Sequence, residues 1–332
     1  MSNRSCCVFE GALLSSLLPP ILIVEFVLGS LGNGVALWGF GSRPKPWKAS
    51  TVYLFNLAAA DFLLVVCLPL RTDYYLRGAG WRLGDLPCRL VLFMLAMNRA
   101  GSIAFLTLVA ADRYLRVVHP HHRLNALSSR AAAAIAGLIW ALTIAGTSYL
   151  LPRSHLSADG LGALHCDSFT VCAGEGPAWH DALFLLEFFL PLGIVLYCSH
   201  GIIWRLRRRR LDKRAGVQRA VRVVAVVAVV FVLCFLPSVA ARLHLLRLAR
   251  RLPDCRGLRS ADTAFYITVS FTYINSTLDP LVYYFSSPSF RAFYRKVFAF
   301  KVGSSRLAAP EADRNRSPDE VACTTTRSTS HL

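Results

Sequence analysis

Cys88–His122 reads CRLVLFMLAMNRAGSIAFLTLVAADRYLRVVHPHH. It opens on a cysteine, continues through a long apolar run, and closes on Asp112-Arg113-Tyr114. The run is long enough to cross a bilayer as a helix. Arg99 interrupts it. An arginine at that depth costs about 2.5–3.5 kcal/mol even on lenient insertion scales, so it must face a bundle interior or a wet cavity. Arg99 and Arg113 are fourteen residues apart. On a helix that is roughly 21 Å of rise and ~40° of azimuth. One helix therefore carries two cations on nearly one face, one in each half.

The rest of the chain has the same character. Of 332 residues 55% are hydrophobic and only 17% charged, and the mean hydropathy is +0.46. Apolar residues fall in long blocks, which excludes a soluble globular fold. The formal net charge of +18 does not point to nucleic acid, because the arginines flank or interrupt apolar runs. Seven such runs can be counted, at about Leu18–Phe40, Thr51–Leu70, Cys88–Val118, Arg130–Leu151, Asp181–Arg205, Val217–Leu248 and Asp262–Phe285. Short connections between them suit an antiparallel bundle. The expected fold is all-α, a seven-transmembrane helix bundle followed by a short amphipathic eighth helix. The parts are an N-terminal segment 1–17, a bundle 18–285, the amphipathic helix 286–301 and a disordered tail 302–332. Within the helix, Phe290, Phe293, Tyr294 and Phe298 recur at helical spacing among Arg291, Arg295 and Lys296, a pattern for the membrane interface. Met1–Leu18 has no basic leader and no small-residue cleavage site, so the first run is expected to serve as its own insertion signal.

Lys and Arg in short loops set the orientation. Arg43, Lys45 and Lys48, then Arg116 and Arg123, then the run Arg205–Arg210 fall on one side, expected to be cytoplasmic. The N-terminus is then extracellular. Cys6, Cys7, Cys88, Cys166, Cys172 and Cys255 share that outer side, which fits an oxidising compartment. Asn3, in Asn3-Arg4-Ser5, is a glycosylation acceptor there. Arg77, Arg82, Arg153, Arg250, Arg251 and Arg256 make the outer vestibule basic, a field that attracts anions.

Polar residues inside the runs must find one another. Asn33, Asp61, Ser102, Asn275, Ser276 and Asp279 form such a set. Asp61, Ser102, Asn275 and Asp279 offer hard oxygens that can hold Na⁺ or share a proton; plain hydrogen-bond glue is the alternative. The histidines at 119, 121, 122, 155, 165 and 180 lie in loops, without the spacing of a metal or triad site, so the chain is not expected to be an enzyme or to carry a cofactor. An anion transporter built around Arg99 is the competing class. It would need symmetry-related broken helices or a ring of cations, and no repeat between the halves is visible.

The residues carry a resemblance. Asn33, Asp61 in LAAAD, Cys88, Asp112-Arg113-Tyr114, Trp140, Pro191, Pro237 in CFLP and Asp279-Pro280-Leu281-Val282-Tyr283 stand in the order and spacing of rhodopsin-like G-protein-coupled receptors. SCC near the start, SRPKPWKASTVYLFNLAAADFLL, LAMNRAGS, ADRYLRVVHPHH, LEFFLPLG, FLPSVAAR and DPLVYYFSSPSF are similar to the hydroxycarboxylic acid receptors, which respond to lactate, 3-hydroxybutyrate and nicotinic acid. The resemblance implies a plasma-membrane receptor that couples to heterotrimeric Gi and lowers cyclic AMP.

It also implies roles. Arg99 resembles the anchor for the ligand carboxylate, a planar fork suited to bidentate binding. Arg242 and Arg71 are further cations for that pocket. Thr272 and Tyr273 supply hydroxyls, Phe235 stands where many relatives have a tryptophan switch, and Asp167 can hydrogen-bond a ligand hydroxyl. Arg113 resembles the arginine that meets the G protein, with Asp112 holding it at rest; Tyr114, Asp279, Pro280 and Tyr283 belong to the same switch. Val217 departs from the glutamate that completes the lock in many relatives, and Ser199 stands where a tyrosine is common, with Tyr197 nearby. The resemblance pairs Cys88 with Cys166, Cys6 with Cys172 and Cys7 with Cys255. Arg71, Asp73, Ala100 and Asp167 resemble the lactate-sensing member; Cys172 and Phe235 resemble the other two, and the balance leans to lactate. Thr324, Thr325, Thr326, Ser328, Thr329 and Ser330 in the tail suit receptor kinases and arrestin.

Overall fold

Each apolar run becomes one long helix. The computed structural model describes residues 12–42, 47–158, 162–169, 178–209, 215–250, 255–287 and 290–297. The spans are Ala12–Gly41, Ala49–Leu76, Asp85–Val118, Ser129–Thr147 with a 3₁₀ turn Ser148–Leu150, Ala178–Arg209, a sixth made of Ala215–Val230, Phe231–Phe235 and Leu236–Arg250, and Cys255–Ser286. Helices overrun the apolar runs at their ends: the first starts at Ala12 rather than Leu18, and the seventh at Cys255 rather than Asp262. Polar turns can continue a helix past the hydrocarbon, so hydropathy alone underestimates its length. Among the described residues, six helices are long and apolar enough to cross a membrane. The seventh is as long but turns its polarity inward, burying Ser270, Thr272, Asn275, Ser276 and Asp279.

The third span is central and packs against the second, fourth, fifth and sixth. Its first turn carries Asp85, which suits the positive helix terminus and pairs with Arg89 at 2.6 Å. The fourth starts under a Ser128 cap, whose Oγ accepts the Ala131 N–H at 3.2 Å.

Two prolines reshape the bundle. Pro237 lacks an N–H, and just before it the sixth span widens into a π turn over Phe231–Phe235, where the Leu236 N–H reaches back to the Phe231 carbonyl. Pro280 likewise leaves the Ser276 carbonyl without its helical partner. Asn33 of the first span fills the gap, donating from Nδ2 to Ser276 O at 2.7 Å. The approach needs glycine: a Cβ on Gly32 would lie 2.6 Å from Pro280 Cγ.

A feature missing from the all-α expectation is a small hairpin, β1 Leu156–Ala158 and β2 Leu164–Cys166, antiparallel with Leu156 opposite Cys166. It is pinned at both ends. Cys166 bonds to Cys88, and Trp81 N donates to Leu164 O at 2.7 Å. Burial lowers the His155 pKa beside it, which disfavours the charged ring. Three-residue strands carry too little alternation to be read from sequence.

The compact bundle ends at Arg291, with Phe290 packed on Phe40 and Tyr283. Residues 290–297 are helical, part of the stretch expected at 286–301. Asn3, the tail 302–332 and the proposed partners Cys6, Cys7 and Cys172 lie outside the described residues, as therefore do the pairings of Cys6 with Cys172 and of Cys7 with Cys255.

Candidate functional site

At the end of the bundle that carries the Cys88–Cys166 bridge lies a cavity of about 70 Å³. Arg71, Arg99, Asp167, Glu187, Thr272 and Tyr273 are among its lining. Asp167, Ser168 and Phe169, which come directly after β2, enter it as a wall. The space suits a compact ligand rather than a long chain.

Arg99 lies at the cavity with its guanidinium already paired. Nη1 donates to Glu187 Oε2 at 2.9 Å, and Nη2 makes a long contact of 3.5 Å to the Phe184 carbonyl. The cation sits 3.8 Å from the centre of the Phe184 ring, a favourable desolvated geometry. Phe184 and Glu187 are three residues apart on the fifth span, so one helix face supplies both. Arg71 donates to the Cys166 carbonyl at 3.2 Å and to Tyr75 Oη at 3.1 Å, which ties the second span to the hairpin. It forms no ion pair among the described residues. Asp167 accepts the Tyr266 hydroxyl and, at 3.1 Å, the Phe169 N–H. The cavity wall thus holds Arg71 and Arg99 against Asp167 and Glu187. The charges balance, where an excess of cations was expected, because a buried guanidinium is tolerable only with a partner.

Two expected ligand residues stand back from the cavity. Arg242 is held by Asp181, with both Nε and Nη2 at 2.8 Å from Oδ1, and by the Phe169 carbonyl at 3.1 Å. It packs behind the Phe169 ring instead of lining the space. Phe235 is fully buried in an aromatic row with Phe231 and Phe188. Thr272 lines the cavity, but its hydroxyl donates to the Val269 carbonyl at 2.6 Å, so only its lone pairs face a ligand.

Deeper in the bundle is the polar layer. Asp61 and Asp279 are both 0% exposed. Asp61 Oδ1 accepts from Ser102 at 3.0 Å and Ser276 at 2.9 Å, and Oδ2 accepts from Tyr283 at 3.0 Å. Tyr283 also reaches Asn33 Oδ1 at 3.1 Å. Asn98, which the sequence reading did not single out, donates to the Ala60 carbonyl at 3.0 Å and lies 3.3 Å from Ser102. Asn275 and the Asp279 carboxylate make no hydrogen bond of standard geometry among the described residues.

Comparison with known proteins matches this architecture. The family model "7 transmembrane receptor (rhodopsin family)" matches residues 32–283. Hydroxycarboxylic acid receptor 1 of Homo sapiens is 55% identical over 97% of this chain and 90% of its own length. Hydroxycarboxylic acid receptors 3 and 2 of Homo sapiens are each 52% identical over 96% of the chain, covering 81% and 86% of their lengths. The chain belongs to the hydroxycarboxylic acid receptor family. It is therefore a multi-pass plasma-membrane G-protein-coupled receptor and not an enzyme; its partners are a small-molecule agonist and a G protein.

In the Asp112-Arg113-Tyr114 motif, Asp112 is shared between two arginines. Asp112 takes Arg116 Nε at 3.0 Å on both oxygens, and Arg113 Nε forms a looser ion pair with it at 3.8 Å. Residues four apart share a helix face and adjacent ones do not. Arg113 Nε is buried without a hydrogen bond. Tyr114 instead reaches the fifth span, with its hydroxyl 3.3 Å from Tyr197 Oη and its ring against Gly201. The residues missed from sequence are the acids of the fifth span, Asp181 and Glu187. An ionisable residue inside an apolar run is itself a pointer to function, and Glu187 in LEFFLPLG carried that signal.

Proposed function

We propose that this receptor detects small hydroxycarboxylic acids, lactate first, on the extracellular side and couples to Gi to lower cyclic AMP. The observation that carries this reading is the small cavity at the bridged end, where Arg71 and Arg99 are presented among aromatic and hydroxyl side chains. A guanidinium fork matches a carboxylate in charge and geometry. The volume disfavours long lipids and peptides. The N-terminus and the Cys88 end face outward in this reading, in keeping with the Lys and Arg bias of the opposite loops. Receptor kinases and arrestin dock on the phosphorylated tail.

Asp61, Ser102, Asn275 and Asp279 serve as a sodium-type site in the same reading. The buried Asn275 and Asp279 oxygens, which make no hydrogen bond of standard geometry among the described residues, would supply the hard donors that Na⁺ takes. The cation would hold the third and seventh spans together around Asp61.

The test is a panel of lactate, 3-hydroxybutyrate and nicotinate on cells expressing the full chain. Inhibition of cyclic AMP that disappears with pertussis toxin supports the reading, with lactate the most potent. A preference for 3-hydroxybutyrate or nicotinate would reassign the agonist.

A further inference from the structure

The ligand cavity contains an acceptor that the protein leaves unused. Glu187 Oε2 receives the Arg99 bond, and Oε1 receives none among the described residues. The side chain is 28% exposed and lines the cavity, so a ligand can reach it. Asp167, the other acid of the wall, has both oxygens engaged, by Tyr266 and by the Phe169 N–H. Of an arginine's five N–H groups, the contacts to Glu187 and the Phe184 carbonyl occupy one each. Donors and one acceptor therefore stand side by side at the anchor.

From this juxtaposition we infer that Glu187 is a specificity residue that reads the hydroxyl group of the ligand. The inference rests on the receptor function proposed for this chain. A simple carboxylate entering this wall gains the Arg99 donors but brings its oxygens against Glu187, with no excess positive charge to absorb the new anion. A hydroxyl on the adjacent carbon changes the balance. The ligand carboxylate accepts from the guanidinium while its hydroxyl donates to Glu187 Oε1, so one small molecule bridges the Arg99–Glu187 pair. Pro191 removes the helical N–H partner of the Glu187 carbonyl, which loosens the helix at the residue that must adjust to the ligand.

The experiment compares matched acids on cells expressing the full chain: lactate against propionate, and 2-hydroxybutyrate against butyrate, read as G-protein activation with surface display measured in parallel. The wild type should prefer the hydroxylated member by about 10- to 100-fold, the range for a hydrogen bond to a charged group. Glu187→Leu should collapse that ratio to within about threefold, through a gain for the unhydroxylated acids as well as a loss for the others; Glu187→Gln should fall between. A change of ratio is a readout that a purely structural role for Glu187 would not give. If Glu187→Leu does not reach the surface, Glu187→Gln and the wild-type ratio decide. A wild-type ratio near one, or a ratio unchanged in Glu187→Leu, overturns the assignment and leaves the receptor reading standing. A wild type silent to all four acids overturns the small-acid agonist reading, and the assignment with it.

Discussion

The cavity at the bridged end and the polar layer around Asp61 both bury ionisable groups, and they balance them in opposite ways. In the cavity, guanidiniums stand against carboxylates, with Arg99 on Glu187 and, just behind the wall, Arg242 on Asp181. In the layer, Asp61 and Asp279 stand beside each other among hydroxyl and amide groups and form no ion pair among the described residues. A neutral pair can be opened by a ligand that replaces one partner's bonds. A pair of carboxylates without a cation calls for an ion or a proton. The first region is therefore suited to selecting an organic anion, and the second to sensing an inorganic cation.

The strongest way to break the comparison is to remove the anchor. Arg99→Ala should abolish the response to small carboxylates, a loss of at least about 100-fold in potency, with surface display largely kept. Glu187 is left unpaired, but its side chain already reaches the cavity and can be hydrated there. An Arg99→Ala receptor that responds with unchanged potency would remove Arg99 from the ligand site. Cys88→Ser tests the wall rather than the charges. It frees the hairpin that leads into the cavity wall, at a cost of about 2–5 kcal/mol, and should lower surface display sharply; normal display would show that the bridge contributes little.

Smaller effects sharpen the contrast. Asp61→Asn should remove the sodium dependence of agonist affinity, an effect of about tenfold, while the preference among carboxylates stays as in the wild type. Sodium dependence that survives would place the cation elsewhere. Arg242→Ala should weaken agonists by no more than about tenfold, because Arg242 acts by holding Phe169 and Asp181 instead of touching the ligand. Adding Asp181→Asn should recover part of that loss by removing the stranded carboxylate. A loss from Arg242→Ala as deep as that from Arg99→Ala would put Arg242 in the site.

Much of this is legible in the sequence. Seven runs correspond to seven helices, and Arg99 belongs inside because lipid does not accept it. The sites that resist reading do so for definite reasons. Glu187 and Asp181 find their cations across helices, on the third and sixth spans, and spacing within one span says nothing of register between two. Counting five residues on from Pro237 gives Arg242 its height in the sixth span, and carrying its facing up from the inner half works only if the span is regular throughout. The π turn over Phe231–Phe235 inserts about one extra residue, which rotates the outer half of that span by roughly 100°. The Asp112–Arg116 pair is the opposite case. Its four-residue spacing is plain in the sequence, but the analogy with relatives directs attention to Arg113.

The bond from Asn33 to the Ser276 carbonyl has a mechanical consequence. Pro280 is a natural bending point of the seventh span, yet the carbonyl it frees is tethered to the first span at 2.7 Å, with Gly32 seated against the proline ring. Bending there must either stretch this tether or carry the neighbour along. The first and seventh spans are thus coupled into one lever, and the stiffness of that lever is set by a single amide side chain.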